Sequence, residues 1–154
     1  MAGSDAEQAL FSSFANQRWA AAVAAARPFV DVSALLASAD SAWAGLAADD
    51  WLQAFAAHPR IGESGGHSPR QSEREQSRVL DAPAPTLAAL TAENRLYEER
   101  FGHVFLIAAQ GRGAGEILDA LRQRMGNSPA VELGVAAAEQ RKITRLRLEQ
   151  LCRS

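Results

Sequence analysis

Two places in this chain combine side-chain types and spacing that could do chemistry. The first is His58, which follows an apolar helix end and precedes Pro59. A proline excludes the residue before it from the α region, so the imidazole stands at a rigid break beside a glycine-rich loop, 60–67. Histidine exchanges a proton near neutral pH, which suits it to acid/base work. A histidine at a helix end can equally bond the last carbonyls, and the local sequence leaves both readings open. The second place is Ser72, Glu75 and Gln76, whose i, i+3, i+4 spacing puts a hydroxyl, a carboxylate and an amide on one helix face. Such a set suits a small polar ligand. Taken locally, a solvated face on a helix rich in Arg and Glu explains it better.

Other chemistries find little support. His58, His67 and His103 are the only histidines, and no two have the i, i+4 spacing of a helical zinc motif. His67 and His103 read as solvent positions in a glycine loop and after a helix stop. The single cysteine, Cys152, lies near the C-terminus without local partners, so neither a thiol nucleophile nor a disulfide framework is expected. Gly111-Arg112-Gly113-Ala114-Gly115 lacks the Gly-Lys-Ser/Thr ending of a phosphate loop and reads as a loop and helix start. No metal site is expected.

The elements that must position these groups are helices. Alanine accounts for 33 of 154 residues, which favours helix over strand. Capping signals predict helices from Ser4 to about Phe14, over Arg18 to Ala26 behind Asn16, and after Ser33 with Leu35, Leu36, Ala39 and Trp43 on one stripe. A fourth opens at Asp49-Asp50 and stops near Ala57. Ser68-Pro69-Arg70-Gln71 restarts a helix that runs to about Leu80 and breaks at Pro83 and Pro85. Further helices are expected from Thr86 to Phe101, stopped by Gly102, from Gly115 to Met125, and from Pro129 to Leu151 behind Ser128. Val104 to Ala109 is a continuous apolar run, either a short strand or a buried helical segment.

The expected fold class is all-α, a single compact multi-helix bundle domain over 1–154. Hydrophobic residues make up 47% of the chain, enough for a core, and the net charge of −2 offers no excess of positive charge to a nucleic-acid backbone. The apolar stretches are too short to span a bilayer, and the N-terminus lacks a signal-type apolar core. No membrane or nucleic-acid partner is expected, and the location reads as cytoplasmic.

Four segments in order resemble the OHCU decarboxylase family: His58-Pro59-Arg60-Ile61-Gly62-Glu63, Ser72-Glu73-Arg74-Glu75-Gln76, Asn94 to Gly102, and Phe105-Leu106-Ile107-Ala108-Ala109. The likeness extends to Arg18-Trp19 through Pro28 and to Lys142 through Leu148, nearly the whole chain. The loop 64–70 and the short stretch before Arg18 depart from the pattern. The resemblance implies decarboxylation of 2-oxo-4-hydroxy-4-carboxy-5-ureidoimidazoline to (S)-allantoin in urate degradation, on an all-helical homodimer without cofactor. It also assigns roles. His58 and Glu75 correspond to catalytic positions. Pro59, Ser72, Glu73, Arg74, Glu75, Gln76, Phe105, Leu106, Ile107, Ala108 and Ala109 correspond to substrate-lining positions, the last five through backbone groups. A C-terminal arginine, Arg145 or Arg147, is a further candidate. The competing readings are a helical module that binds a ligand without turnover and a purely structural bundle.

Overall fold

The helix starts at Asn16, Asp31 and Ser128 are set by side chains that satisfy otherwise orphaned backbone N–H groups. The computed structural model describes residues 3–58, 60, 75 and 77–153. Among them are eight helices and no strand: α1 (Gly3–Ser13), α2 (Gln17–Ala25), α3 (Val32–Ala44), α4 (Ala48–Phe55), α5 (Ser77–Leu80), α6 (Ala84–Phe101), α7 (Ala114–Arg124) and α8 (Pro129–Arg153). The protein is all-α, and no described helix is long and apolar enough to cross a membrane.

Asn16 caps α2 as expected, its side chain accepting from the Trp19 N–H at 3.0 Å. For α3 the expected cap was Ser33, but the structure uses Asp31, whose carboxylate accepts from the Ala34 N–H at 2.8 Å. Both residue types cap well, and Asp31 holds the extended backbone that a cap requires. α1 begins at Gly3, one residue ahead of the expected cap. α6 begins at Ala84 rather than Thr86, so Pro85 is no break; in a first helical turn its missing N–H costs nothing. Gly102 ends α6 as expected, with φ of 79° and its N–H on the Glu98 carbonyl at 2.8 Å. Ser128 accepts from the Val131 N–H at the start of α8.

The run 104–109 is neither strand nor helix. Its residues are mostly buried, and two of its backbone groups are taken by long side chains instead of a ladder or a helical turn, as described below.

By internal packing the chain divides into two units, 1–54 with 141–154, and 55–140. In the first, Phe14, Trp19 and Val23 form a core with Leu10, Leu35 and Leu148. Phe14 meets Trp19 edge-on at 5.3 Å, and the Trp19 indole N–H donates to the Ala39 carbonyl at 3.1 Å. The fully buried Asn16 is used completely: while capping α2 it also donates to Asp50 Oδ1 at 3.1 Å and Gln53 Oε1 at 3.0 Å, tying the start of α2 to α4.

Asp50 in turn accepts from the Ala47 N–H at 3.1 Å and from Arg18 at 3.2 Å. The Ala47 N–H first, then the Asn16 amide and the Arg18 charge, hold this carboxyl below the ordinary carboxylate range. A lowered native pKa stabilises the fold above the unfolded value, near about 3.9, and that contribution disappears as pH falls through the native pKa. Thermal melts should therefore show Asp50→Asn less stable than wild type at neutral pH, with the gap narrowing as pH drops from about 5 to about 3. Parallel melting curves across that range would rule this out.

The second unit is centred on Tyr97, Phe105, Ile117 and Leu121, all fully buried, with Leu90 and Val79 beside them. It contains all the described residues of the two sequence motifs.

Candidate active site

The α4 helix ends at Phe55, and the His58 N–H bonds back to the Phe55 carbonyl at 3.1 Å, which closes the turn ahead of the proline. His58 is half-buried. Its Nε2 lies 2.7 Å from the Oε1 of Gln140, on α8. Two residues on, Arg60 forms a two-pronged pair with Glu98 of α6, at 2.7 and 3.1 Å. His58 and Arg60 are thus tied to Gln140 of α8 and Glu98 of α6, residues of the same unit.

The run 105–109 is held from two sides. Arg124, at the end of α7, donates through Nη1 to the Leu106 carbonyl at 2.6 Å, and its guanidinium lies 4.4 Å over the Phe105 ring. Glu139, on α8, accepts from the Ala108 N–H at 3.2 Å. Phe105, Leu106, Ile107 and Ala109 are buried and Ala108 is half-buried.

Arg124 is itself fixed. Its Nε lies 2.9 Å from both oxygens of Glu132, which is fully buried and also accepts from the Tyr97 hydroxyl at 2.9 Å. Burial pushes the Tyr97 phenol far above the usual tyrosine range, so it stays protonated and donating.

Of the sequence-predicted site residues, His58 and Phe105 to Ala109 belong to one unit and are anchored to neighbouring residues of α8, Gln140 and Glu139. Glu75 is helical and half-buried in the same unit. Pro59, Ser72, Glu73, Arg74 and Gln76 lie outside the described residues, as does His67. His103 is not the solvent-facing residue expected: its ring is half-buried among Phe55, Tyr97 and Phe101, with centroids at 5.4, 5.6 and 6.3 Å. A left-handed turn at Gly102 folds the chain back on α6 and carries the ring inward. The two C-terminal arginines, in the other unit, differ sharply. Arg145 is exposed and pairs with Glu149 at 3.3 Å, whereas Arg147 is 3% exposed. Among the described residues, no group of three or more His, Cys, Asp or Glu side chains could hold a metal.

The arrangement offers a proton-exchanging imidazole, a carboxylate-bearing helix and a main-chain segment fixed in space. Sequence reasoning missed Gln140, Glu139, Arg124 and Glu132. Three of them carry a readable signal: Glu132, Glu139 and Gln140 fall in phase with the buried stripe of α8 formed by Ala136, Ala137 and Ile143.

Comparison with known proteins places these features in context. The OHCU decarboxylase family matches residues 1–149. The uric acid degradation bifunctional protein TTL of Arabidopsis thaliana is 45% identical over 108 residues, 66% of this chain and 33% of that protein. A 2-oxo-4-hydroxy-4-carboxy-5-ureidoimidazoline decarboxylase of Amia calva is 37% identical over 81 residues, 53% of this chain and 46% of that protein. In both cases the matched region spans less than half of the relative's length. A crystal structure of OHCU decarboxylase in the presence of (S)-allantoin superposes with a TM-score of 0.82 at 33% identity, covering 94% of this chain and 96% of that one.

Proposed function

Because the chain belongs to the OHCU decarboxylase family, we propose that it converts 2-oxo-4-hydroxy-4-carboxy-5-ureidoimidazoline to (S)-allantoin and carbon dioxide. The observation that carries this reading is the anchoring of His58 and the Ala108 main chain to consecutive residues of one helix, Gln140 and Glu139. An acid/base group and a main-chain recognition segment are thereby set in fixed relation.

In the proposed reaction the bond to the carboxylate breaks and its electron pair passes into the neighbouring C=N of the ring. The substrate acts as its own electron sink, and no cofactor is asked for. The ring nitrogen that receives the pair takes a proton from solvent; the hydroxyl-bearing carbon then gives up its hydroxyl proton and becomes a carbonyl, while a proton is added to one face of the adjacent carbon. His58 polarises the hydroxyl and handles the proton. Glu75 orients or charges His58. Pro59 and the Ser72-Glu73-Arg74-Glu75-Gln76 run line the substrate, with Ser72 and Gln76 bonding the ureido and ring amides. Main-chain groups of Phe105 to Ala109 complete recognition. With the Leu106 carbonyl and the Ala108 N–H already engaged by Arg124 and Glu139, Ile107 is the centre of that contact in this reading.

The family match across 1–149 supports treating the chain as one family domain. A homodimer and a cytoplasmic location complete the reading, both on the family resemblance.

The test is turnover of freshly prepared substrate followed by circular dichroism. The enzyme should produce an excess of (S)-allantoin faster than the spontaneous decay, which yields a racemate. A protein that only binds would leave the spontaneous rate and the racemic outcome unchanged.

A further inference from the structure

We infer that Gln140 is a positioning residue that selects the Nε2–H tautomer of His58 and fixes the plane of its ring, a role that rests on the catalytic reading of His58. The Gln140 side chain is fully buried, and its Oε1 sits 2.7 Å from His58 Nε2. A carbonyl oxygen can only accept, so the ring nitrogen facing it must carry the proton. In the neutral ring the basic lone pair is then on Nδ1, and this becomes the atom that takes a proton during turnover.

Three features make the arrangement a fixed one. Gln140 lies in the interior of α8, so its backbone is held by the helix's own hydrogen bonds. Its neighbour Glu139 holds the Ala108 N–H, so the ring and the recognition segment share one reference frame. The bond spans 82 residues of sequence, and no local turn would make it by default. The requirement is geometric: a ring free to rotate about its χ angles presents Nδ1 correctly only part of the time.

The experiment has two arms. In the wild-type protein, ring ¹⁵N chemical shifts of His58, recorded above its titration, should show a protonated Nε2 and an unprotonated Nδ1; the opposite tautomer overturns the assignment. In the second arm Gln140→Met, which keeps the length and volume but removes the carbonyl, should lower kcat by about 10- to 100-fold with KM changed less than about threefold. The tautomer preference should weaken in the same variant. An unchanged kcat in Gln140→Met, alongside an inactive His58→Gln, overturns the role of Gln140 alone. Full activity in His58→Gln overturns the catalytic reading beneath it. If Gln140→Met does not fold, the wild-type tautomer decides by itself.

Discussion

Replacing His58 by glutamine should lower kcat/KM for the ureidoimidazoline by about 100- to 10,000-fold, the usual contribution of a positioned acid/base group. Glutamine is the informative replacement because its amide nitrogen can reach the place of Nε2 and donate to Gln140 Oε1, as the imidazole does at 2.7 Å. The turn held by the Phe55 carbonyl and by the Arg60–Glu98 pair is untouched. Packing and hydrogen bonding persist, and only proton exchange is lost, since an amide does not titrate in this range. The loss should therefore fall on kcat rather than KM, and any allantoin formed should approach the racemate of the uncatalysed route. Circular dichroism during single turnovers separates these quantities. A variant within about fivefold of wild type, still giving the (S) product, would remove His58 from the mechanism, because general acid/base catalysis is worth far more than that.

The largest effect on stability is expected at Arg124. Arg124→Met should destabilise the protein by about 3–5 kcal/mol, read as a lower urea midpoint with an unchanged slope. Arg124 is 9% exposed and Glu132 is fully buried, so the substitution strands a carboxylate where water does not reach it. Donors from Tyr97 and, at 3.4 Å, from Asn127 remain, but neither brings a charge. The Leu106 carbonyl also loses its partner, and the guanidinium contact over Phe105 disappears. Adding Glu132→Gln should recover part of the loss, because a neutral amide costs less to bury and its oxygen still accepts from Tyr97. A single variant within about 1 kcal/mol of wild type would show that the pair contributes little.

How far the sequence could be read depended on whether a residue's partner was near it along the chain. Asn16, Gly102 and Ser128 act within one turn of themselves, so their capping roles were legible. Asp31 and Ser33 are two adequate caps two residues apart, and only tertiary placement chooses between them. His58 was legible as a histidine at a proline break, yet its partner Gln140 is distant and resembles any polar residue in a helix. The run 104–109 was ambiguous for a deeper reason. Buried apolar residues without periodicity normally mean a strand or a buried helix, because backbone groups need partners and those elements supply them. Here Arg124 and Glu139 supply two of them from side chains, an option that hydrophobic pattern alone cannot register.

That dependence on distant side chains also bears on the order in which the protein assembles. The contacts that hold 104–109 span 18 residues to Arg124 and 31 to Glu139, so they form only after α7 and α8 exist and have docked. These two contacts should therefore form on the late side of the folding barrier. Substitutions there consequently act on the unfolding rate more than on the folding rate. A segment proposed to recognise the substrate thus depends for its shape on elements that follow it in the chain.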